Sequence, residues 1–369
     1  MRAGSYYETF KGEQLKAAAE LTLHGLGGLA VGREALEAYA FGVEGRPSDA
    51  RLHTSVAGVA FENPVIVGAG WDKKGRAIHG LYQLGFSGVE IGTVLPFAQT
   101  GNPRPRLWTI NQDHSVGLNR LGFNSPGMER VGKYLQAAQP LPCPVGLNVG
   151  RNKIMPNEMA AWAHNQVIEH LGSCASYIVL GISSPNSPGL RGLQDKGPFR
   201  ELVQAAREAM PAEQPLFIKI DSERTPAELD DMIEVMLEEK GDGFVATNTY
   251  MASDLKAKYG RRWANEAGGL SGADPDFRRR ATGTVRHIYE AAGDRLAIIG
   301  VGAVGDTGAA LEKLEAGASA VQVVTAIRPS LGRVAAQINR GLLDRIERDG
   351  ASSIRDYIGA GTTRGVLAT

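Results

Sequence analysis

From Arg51 onward, short apolar runs alternate with glycine-rich turns and longer amphipathic stretches. Eight apolar runs have the length and composition of buried strands: they are Pro64–Gly68, Gly88–Val94, Val145–Val149, Tyr177–Ser183, Leu216–Asp221, Gly243–Thr249, Ala297–Gly302 and Ala320–Thr325. Helical patterns occupy most of the intervals, at Lys74–Leu84, Glu158–His170, Phe199–Met210, Pro226–Glu239, Asp276–Ala292 and Asp306–Ala316. Eight strands alternating with helices predict a (β/α)8 TIM barrel of the α/β class.

The first 46 residues have a different pattern, which predicts two helices. In the first helix, an apolar stripe is formed by Leu15, Ala18, Ala19, Leu21, Thr22, Leu23 and Leu26. The opposite side carries Lys11, Glu13, Lys16 and Glu20. A glycine cluster, Gly25, Gly27 and Gly28, is expected to break this helix, and the second runs from Arg33 to Phe41. Two interpretations remain open: a cap packed on the barrel, or an amphipathic lid that touches a membrane or admits an apolar ligand. We therefore predict an N-terminal helical extension, 1–46, followed by the barrel, 47–369.

Composition excludes several classes of function. The 40 basic residues balance the 40 acidic ones, so nothing indicates a nucleic-acid partner. Cys143 and Cys174 form no CxxC pair and no HExxH occurs, which favours packed thiols in a reducing compartment and no metal site. The start of the chain lacks the pattern of a signal peptide. No apolar run approaches the roughly 20 residues of a membrane span, which leaves a cytoplasmic or peripheral membrane location.

Polar side chains follow most of the predicted strands at their carboxyl ends. They are Thr93, Asn148, Ser184, Lys219, Thr247, Asn248 and Thr325. Because ligands bind at that end of a parallel barrel, we expect these side chains to line one site. The long segment from Pro96 to Arg130 follows the second strand and has few helix signals, so it is predicted to contribute to the same site.

Three of these strand ends indicate particular chemistry. The loop after Tyr177–Ser183 contains two prolines and presents hydroxyl and amide groups from a stiff backbone. Gly68 and Gly70 would let a flat ligand approach the chain closely. Lys219 lies within an apolar strand, where a cation is costly unless it meets an anion, a Schiff-base partner or a cofactor. Asp221 is expected to be solvated at the strand end.

A GxGxxG sequence spans Gly300 to Gly305, between a predicted strand and a helix. The next strand ends at Thr325 without the acidic residue of a dinucleotide site, so we interpret the motif as half of a barrel phosphate site. Paired glycosidase carboxylates and a GxSxG nucleophile elbow are absent from the strand ends. The remaining Asn, Ser, Thr and Lys side chains suit a planar heterocycle and leave the redox or acid chemistry to a cofactor.

Taken together and in order, these motifs resemble the dihydroorotate dehydrogenase family, and in particular its membrane-associated, quinone-using class 2. The resemblance covers about Asn63 to Leu343 and depends on NPVIVGAGWDKKG, GFSGVEIGTVLP, GNPRPRL, LNRLGFNSPG, VGLNVGRNK, ISSPNSPGLRGLQ, IKID, ATNT, GGLSG, IIGVGAV and GASAVQVVT. The helical residues before the first strand also fit class 2, in which an N-terminal helical pair receives the quinone.

The resemblance implies an FMN-dependent oxidation of dihydroorotate to orotate in pyrimidine biosynthesis, with Ser184 as the base and Ser187 as part of its proton relay. FMN would be held by Ala69, Gly70, Thr93, Asn148, Lys219, Thr247, Gly272, Gly302, Ala303, Val324 and Thr325. The pyrimidine would be held by Lys73, Asn119, Arg120, Leu121, Gly122, Phe123, Asn186, Asn248 and Thr249. Electrons would pass to a quinone, and the membrane contact would be peripheral, on the cytoplasmic face of the inner membrane.

Three positions depart from the family pattern. Gly181 replaces an asparagine that contacts flavin and pyrimidine, Ala303 replaces a glycine, and VVTAIRPS replaces an aromatic-hydroxyl-glycine run. Two alternatives therefore stay open: a flavoprotein of the same fold acting on another dihydropyrimidine-like substrate, and a flavin-free phosphate-binding barrel.

Overall fold

The computed structural model describes residues 16–42, 45–184, 186 and 189–363. Eight parallel strands close into a barrel, which confirms the predicted fold. Their bounds are β1 Val65–Val67, β2 Gly88–Val94, β3 Val145–Val149, β4 Tyr177–Gly181, β5 Leu216–Ile220, β6 Gly243–Ala246, β7 Ala297–Val301 and β8 Ala320–Val323. Each strand pairs with its neighbours in chain order, and β8 pairs with β1 to close the barrel.

The helices surround the barrel. They are α1 (residues 16–27), α2 Ala30–Phe41, α3 Ile78–Gln83, α4 Met128–Ala137, α5 Ala160–Leu171, α6 Lys196–Glu208, α7 Pro226–Glu238, α8 Ser253–Ala257, α9 Arg261–Ala264, α10 Pro275–Ala292, α11 Thr307–Glu315 and α12 Val334–Asp349. The predicted helix from Lys74 begins four residues late. Asp72 is the reason, because its carboxylate accepts the backbone N–H groups of Arg76 and Ala77 at 3.1 and 2.7 Å and holds a turn there.

The amino end of the barrel is sealed. A hairpin of Thr54–Val56 and Val59–Phe61 lies across it. Below the strands the rings of Phe61 and Tyr177 lie 6.5 Å apart, and those of Tyr177 and Phe217 lie 5.6 Å apart, both edge to face. Among the described residues, the barrel interior is therefore open to a ligand at the carboxyl end and closed at the amino end.

The long segment after β2 is more regular than its sequence indicates. Its strands Leu107–Thr109 and Val116–Asn119 pair antiparallel, and Gly269–Gly272 joins them from the far side of the barrel. The pairing with Gly269–Gly272 is tertiary, which is why the local pattern shows only a loop. This three-stranded sheet, called the upper sheet below, covers part of the carboxyl end.

The apolar stripe predicts the packing of the N-terminal helices only in part, since Leu23 of α1 is buried and Leu26 packs against the core. Lys16 and Glu20 of α1 are turned toward the protein, whereas Leu21 is 57% exposed. α1 ends at Gly27, as the glycine cluster predicts, although Gly25 lies within the helix. A side chain on Gly27 would come within 2.6 Å of the Gly80 backbone, so the glycine allows α1 to contact α3. The predicted stripe residue Leu15 and its opposite residues Lys11 and Glu13 lie outside the described residues.

Apolar side chains remain exposed around these helices. Leu29 and Val31 at the start of α2 are 65% and 77% exposed, and Leu331, whose carbonyl accepts the Tyr39 hydroxyl at 3.2 Å, is 76% exposed. In the described ranges, no helix combines the length and hydropathy needed to cross a bilayer.

Candidate active site

A cavity of about 770 Å³ opens at the carboxyl end of the barrel, between the strand ends, the upper sheet and α1. Every sequence-predicted site residue lines it except Arg120. Arg120 follows Val116–Asn119 and turns away to pair with Glu266, with its guanidinium 4.8 Å from the Trp108 ring centre. The proposed relay residue Ser187 lies outside the described residues.

The floor of the cavity is a buried network that begins at Lys219. Its Nζ atom lies 3.3 Å from Gln322 Oε1 on β8 and 3.6 Å from Glu90 Oε1 on β2. Gln322 in turn donates its Nε2 hydrogen to the Glu90 carboxylate. Because β5, β2 and β8 are separate parts of the barrel wall, these side chains meet only in its interior.

The network continues to the strand ends. Asn148 Nδ2 donates to Glu90 Oε1 at 2.9 Å, and the Thr93 hydroxyl donates to Asn148 Oδ1 at 2.7 Å. Both ends of the Asn148 amide are thereby fixed. The same amide fills the space beside Gly181, where an added Cβ would lie 2.6 Å from Asn148 Oδ1 and 2.9 Å from the Val149 carbonyl oxygen. At Gly181 the position of a Cβ is therefore already occupied by a neighbouring side chain.

Exposed backbone forms the opposite wall. Gly70 has φ +101°, and a Cβ there would meet nothing within 4 Å, so a flat ligand could approach on that side, while the Gly70 carbonyl accepts from Lys16 Nζ of α1. Gly302 and Ala303 follow β7 with φ +105° and +58°. The left-handed conformation costs an alanine about 1–2 kcal/mol, which a glycine would avoid. Ala303 therefore departs from the family at a position whose geometry favours glycine.

The helix ends near this wall are already capped. Asp306 accepts the Ala309 N–H at 2.8 Å at the start of α11, and Asp274 accepts the Phe277 N–H at 2.7 Å at the start of α10. A carboxylate at a helix N-terminus competes with a phosphate for the same N–H groups. The loop backbone at Gly302 is left as a phosphate donor, whereas the Thr325 hydroxyl donates its hydrogen to Ser271 at 3.1 Å and would have to turn to reach a phosphate.

Ser184 lies on the loop after β4 with 6% of its surface exposed, and its Oγ accepts the Asn186 N–H at 3.3 Å. Its neighbour Ser183 accepts the Asn248 Nδ2 hydrogen at 3.0 Å, and Asn248 Oδ1 accepts the Thr249 N–H at 2.7 Å. These bonds fix the amide of Asn248 against the loop that carries Ser184. Lys73, on the loop after β1, is 7% exposed and is therefore a cavity cation, not a surface one.

The expectation that Asp221 is solvated was wrong. Asp221 is 2% exposed and accepts from Arg191 at 2.8 Å and from Gln194 at 2.9 Å. Burial alone would raise the pKa of this carboxyl, but the hydrogen bond and charge of Arg191 outweigh it and hold the pKa below its ordinary value. Arg191 reaches Asp221 because the loop after β4 returns as a 3-10 turn at Leu190–Gln194.

The sequence did not indicate several residues in or directly beneath the cavity. Glu90 and Gln322 are polar residues inside apolar strands, the same signal that identified Lys219. Lys16 and Glu20 carry no such signal, because only the packing of α1 turns them inward. Burial is the largest cause that raises the Glu20 pKa, and the Lys16 charge opposes it. In the described ranges, no group of three His, Cys, Asp or Glu side chains is placed to hold a metal ion.

Comparison with known proteins gives this cavity a family. The family model described as dihydroorotate dehydrogenase matches residues 51–346. The chain belongs to the dihydroorotate dehydrogenase family. Among curated relatives, a protein of Anaeromyxobacter dehalogenans named dihydroorotate dehydrogenase (quinone) is 42% identical over 84% of this chain and 85% of its own length. A Myxococcus xanthus protein of the same name is 38% identical over 86% of each chain.

Solved members of the dihydroorotate dehydrogenase family share the fold. The crystal structure of an Eimeria tenella DHODH in complex with ferulenol superposes with a TM-score of 0.79 at 31% identity, covering 88% of this chain and 92% of that one. The ligand-free type of the Eimeria tenella DHODH gives the same TM-score at 30% identity. The sequence-based assignment to the family is thus confirmed.

Proposed function

We propose that this protein oxidises dihydroorotate to orotate with bound FMN and passes the electrons to a quinone, a step of pyrimidine biosynthesis. The observation that carries the proposal is the single cavity that brings Ser184, Lys219, Asn248 and the open backbone at Gly70 together beneath α1. Relatives at 37–42% identity with the name dihydroorotate dehydrogenase (quinone) support the same substrate and acceptor.

The residues present fit FMN. The open side of Gly70, where a side chain would be, suits a planar ring system, and Lys219 supplies a buried cation for its electron-rich edge. Thr93, Asn148 and Thr247 offer polar groups around the ring and ribityl chain. Backbone and hydroxyl donors for the phosphate come from Gly272, Gly302, Ala303, Val324 and Thr325. When bound, FMN supplies the hydride acceptor that no side chain of this cavity can provide.

The remaining polar side chains orient the substrate. Lys73 presents a positive charge to a carboxylate, and the amides of Asn119, Asn186 and Asn248 can both donate to and accept from a pyrimidine ring. Ser184 takes the C5 proton at its Oγ atom. A serine hydroxyl is a weak base at neutral pH, so the proton must be passed on from Oγ during turnover.

The acceptor approaches along α1. Lys16 and Glu20 face the cavity, while Leu21, Leu29 and Val31 present apolar surface on the outside. This arrangement suits a lid of residues 1–46 on the FMN-binding barrel of residues 47–369, through which an apolar quinone enters from a membrane surface. The membrane contact in this proposal is peripheral, at the cytoplasmic face.

The test is anaerobic reduction followed by reoxidation. Purified protein should be yellow, should bleach with excess dihydroorotate, and should regain colour with a quinone faster than with fumarate or NAD. Protein that stays colourless after incubation with FMN would favour a phosphate-binding barrel without flavin. Yellow protein that dihydroorotate does not bleach would indicate another dihydropyrimidine-like substrate, the alternative that Gly181 raises. Reoxidation by fumarate or NAD alone would refute the quinone assignment.

A further inference from the structure

Glu90 is a completely buried carboxylate in the middle of β2, and the proposed reaction gives it no role. Its side chain points into the barrel, where it receives hydrogen bonds from Asn148 and Gln322 and lies 3.6 Å from Lys219 Nζ. Removing an ionised carboxylate from water costs several kcal/mol unless a cation and hydrogen bonds compensate. The fold therefore retains this charge together with Lys219.

The geometry connects the two charges to the cavity floor. Gln322 bridges them, because its Oε1 atom lies 3.3 Å from Lys219 Nζ while its amide nitrogen donates to Glu90. Lys219 reaches the cavity surface, whereas Glu90 lies beneath and does not line it. A ligand on the floor would thus meet the ammonium directly and the carboxylate at longer range through a low-dielectric interior, in which charges are weakly screened.

We propose that Glu90 is a positioning residue that holds the Lys219 ammonium in place and lowers the midpoint potential of FMN bound above it. The inference rests on the proposed FMN-dependent function. Reduction adds electrons to the bound cofactor, so the Lys219 charge favours it and the Glu90 charge opposes it. The pair keeps a fixed cation at the ring while limiting the positive potential there, so that electrons can still leave for an acceptor.

A purely structural role for Glu90 would give a different result. Loss of packing would weaken the binding of oxidised and reduced FMN alike, and the midpoint potential would stay unchanged. An electrostatic role changes the ratio of the two affinities, and the potential reports that ratio directly. The potential is therefore the decisive measurement, and it does not require turnover.

The experiment compares midpoint potentials, measured against a reference dye, of the FMN-loaded wild type and three variants. Glu90→Gln keeps the shape and removes the charge, and it should favour reduced over oxidised FMN by about tenfold, about 30 mV for a two-electron couple. Glu90→Asp keeps the charge and should shift the ratio less than threefold. The matched control is Asp221→Asn, which removes a buried carboxylate two residues after Lys219 that pairs with Arg191 outside the cavity, and it too should shift the ratio less than threefold.

An unchanged or lowered potential in Glu90→Gln would overturn the inference, as would an equal rise in Asp221→Asn. If Glu90→Gln does not fold, Glu90→Met replaces it: it removes the same charge and should raise the potential in the same direction, and no rise would count against the proposal. Wild type that takes up no FMN would refute the proposed function and this inference with it. Wild type that bleaches with dihydroorotate, beside an unshifted Glu90→Gln, would refute this inference alone.

Discussion

Gly181→Asn introduces the residue that the family usually carries, and we expect it to destabilise this protein. The structure explains why, because the space next to Gly181 is already filled. An added Cβ would lie 2.6 Å from Asn148 Oδ1 and 2.9 Å from the backbone oxygen of Val149. The Asn148 side chain could rotate away, but the carbonyl of Val149 belongs to β3 and cannot.

The size of the stability loss follows from the interactions that break when the Asn148 side chain is displaced. Displacing Asn148 breaks its hydrogen bonds to Thr93, at 2.7 Å, and to the buried carboxylate of Glu90, at 2.9 Å. Hydrogen bonds to neutral groups are worth about 0.5–1.5 kcal/mol and those to charged groups about 1.5–3 kcal/mol, and overpacking adds about 1–3 kcal/mol. Partial relaxation reduces the total, so we expect a loss of about 2–4 kcal/mol.

The assay is urea denaturation of Gly181→Asn and of wild type. The loss of stability is calculated from the shift in the denaturation midpoint, with the slope of unfolding free energy against urea unchanged. Gly283→Ala is the matched control, since Gly283 is exposed in the interior of α10 and a Cβ there would meet nothing within 4 Å. It should stabilise the protein by about 0.5–1 kcal/mol, because alanine is the better helix former. A Gly181→Asn variant as stable as wild type would refute the reasoning and show that Asn148 has an alternative position.

Two further predictions concern the helix layer and the lid. Lys313 is fully buried, its Nζ donates to the Thr282 hydroxyl at 2.7 Å, and burial lowers its pKa from the ordinary 10.5 to about 7. The pKa of Lys313 is lower in the folded protein than in the unfolded chain. The buried charge therefore destabilises the fold by its full amount below about pH 7, and this destabilisation disappears as the pH rises toward 10.5. Lys313→Met should therefore gain about 2–4 kcal/mol at pH 6 and little at pH 10.5 by urea denaturation, and a gain independent of pH would contradict this. Deleting residues 1–46 should slow quinone turnover more than anaerobic flavin reduction, measured by stopped-flow absorbance, whereas equal loss of both would contradict a lid role.

The barrel could be predicted from the chain because its signals are local. Most strands are apolar runs with glycine or proline at one end, and the major helices show a helical period of apolar residues, so the eight strands could be predicted without tertiary information. Lys219 and Ser184 could be placed at the carboxyl ends of their strands because each lies near the end of its apolar run. The upper sheet could not be predicted, because Gly269–Gly272 pairs with a hairpin about 150 residues earlier in the chain.

The sequence by itself therefore determined the order of strands and helices, the end of the barrel that carries the polar groups, and the family. Only the tertiary structure decided how the polar groups are paired. It placed Glu90 and Gln322 against Lys219, turned the charged side of α1 inward, and buried Asp221 against Arg191. It also placed the amide of Asn148 in the space beside Gly181. The physical reason is that strand periodicity determines which way a side chain points, whereas its partner depends on strands that meet only when the barrel closes.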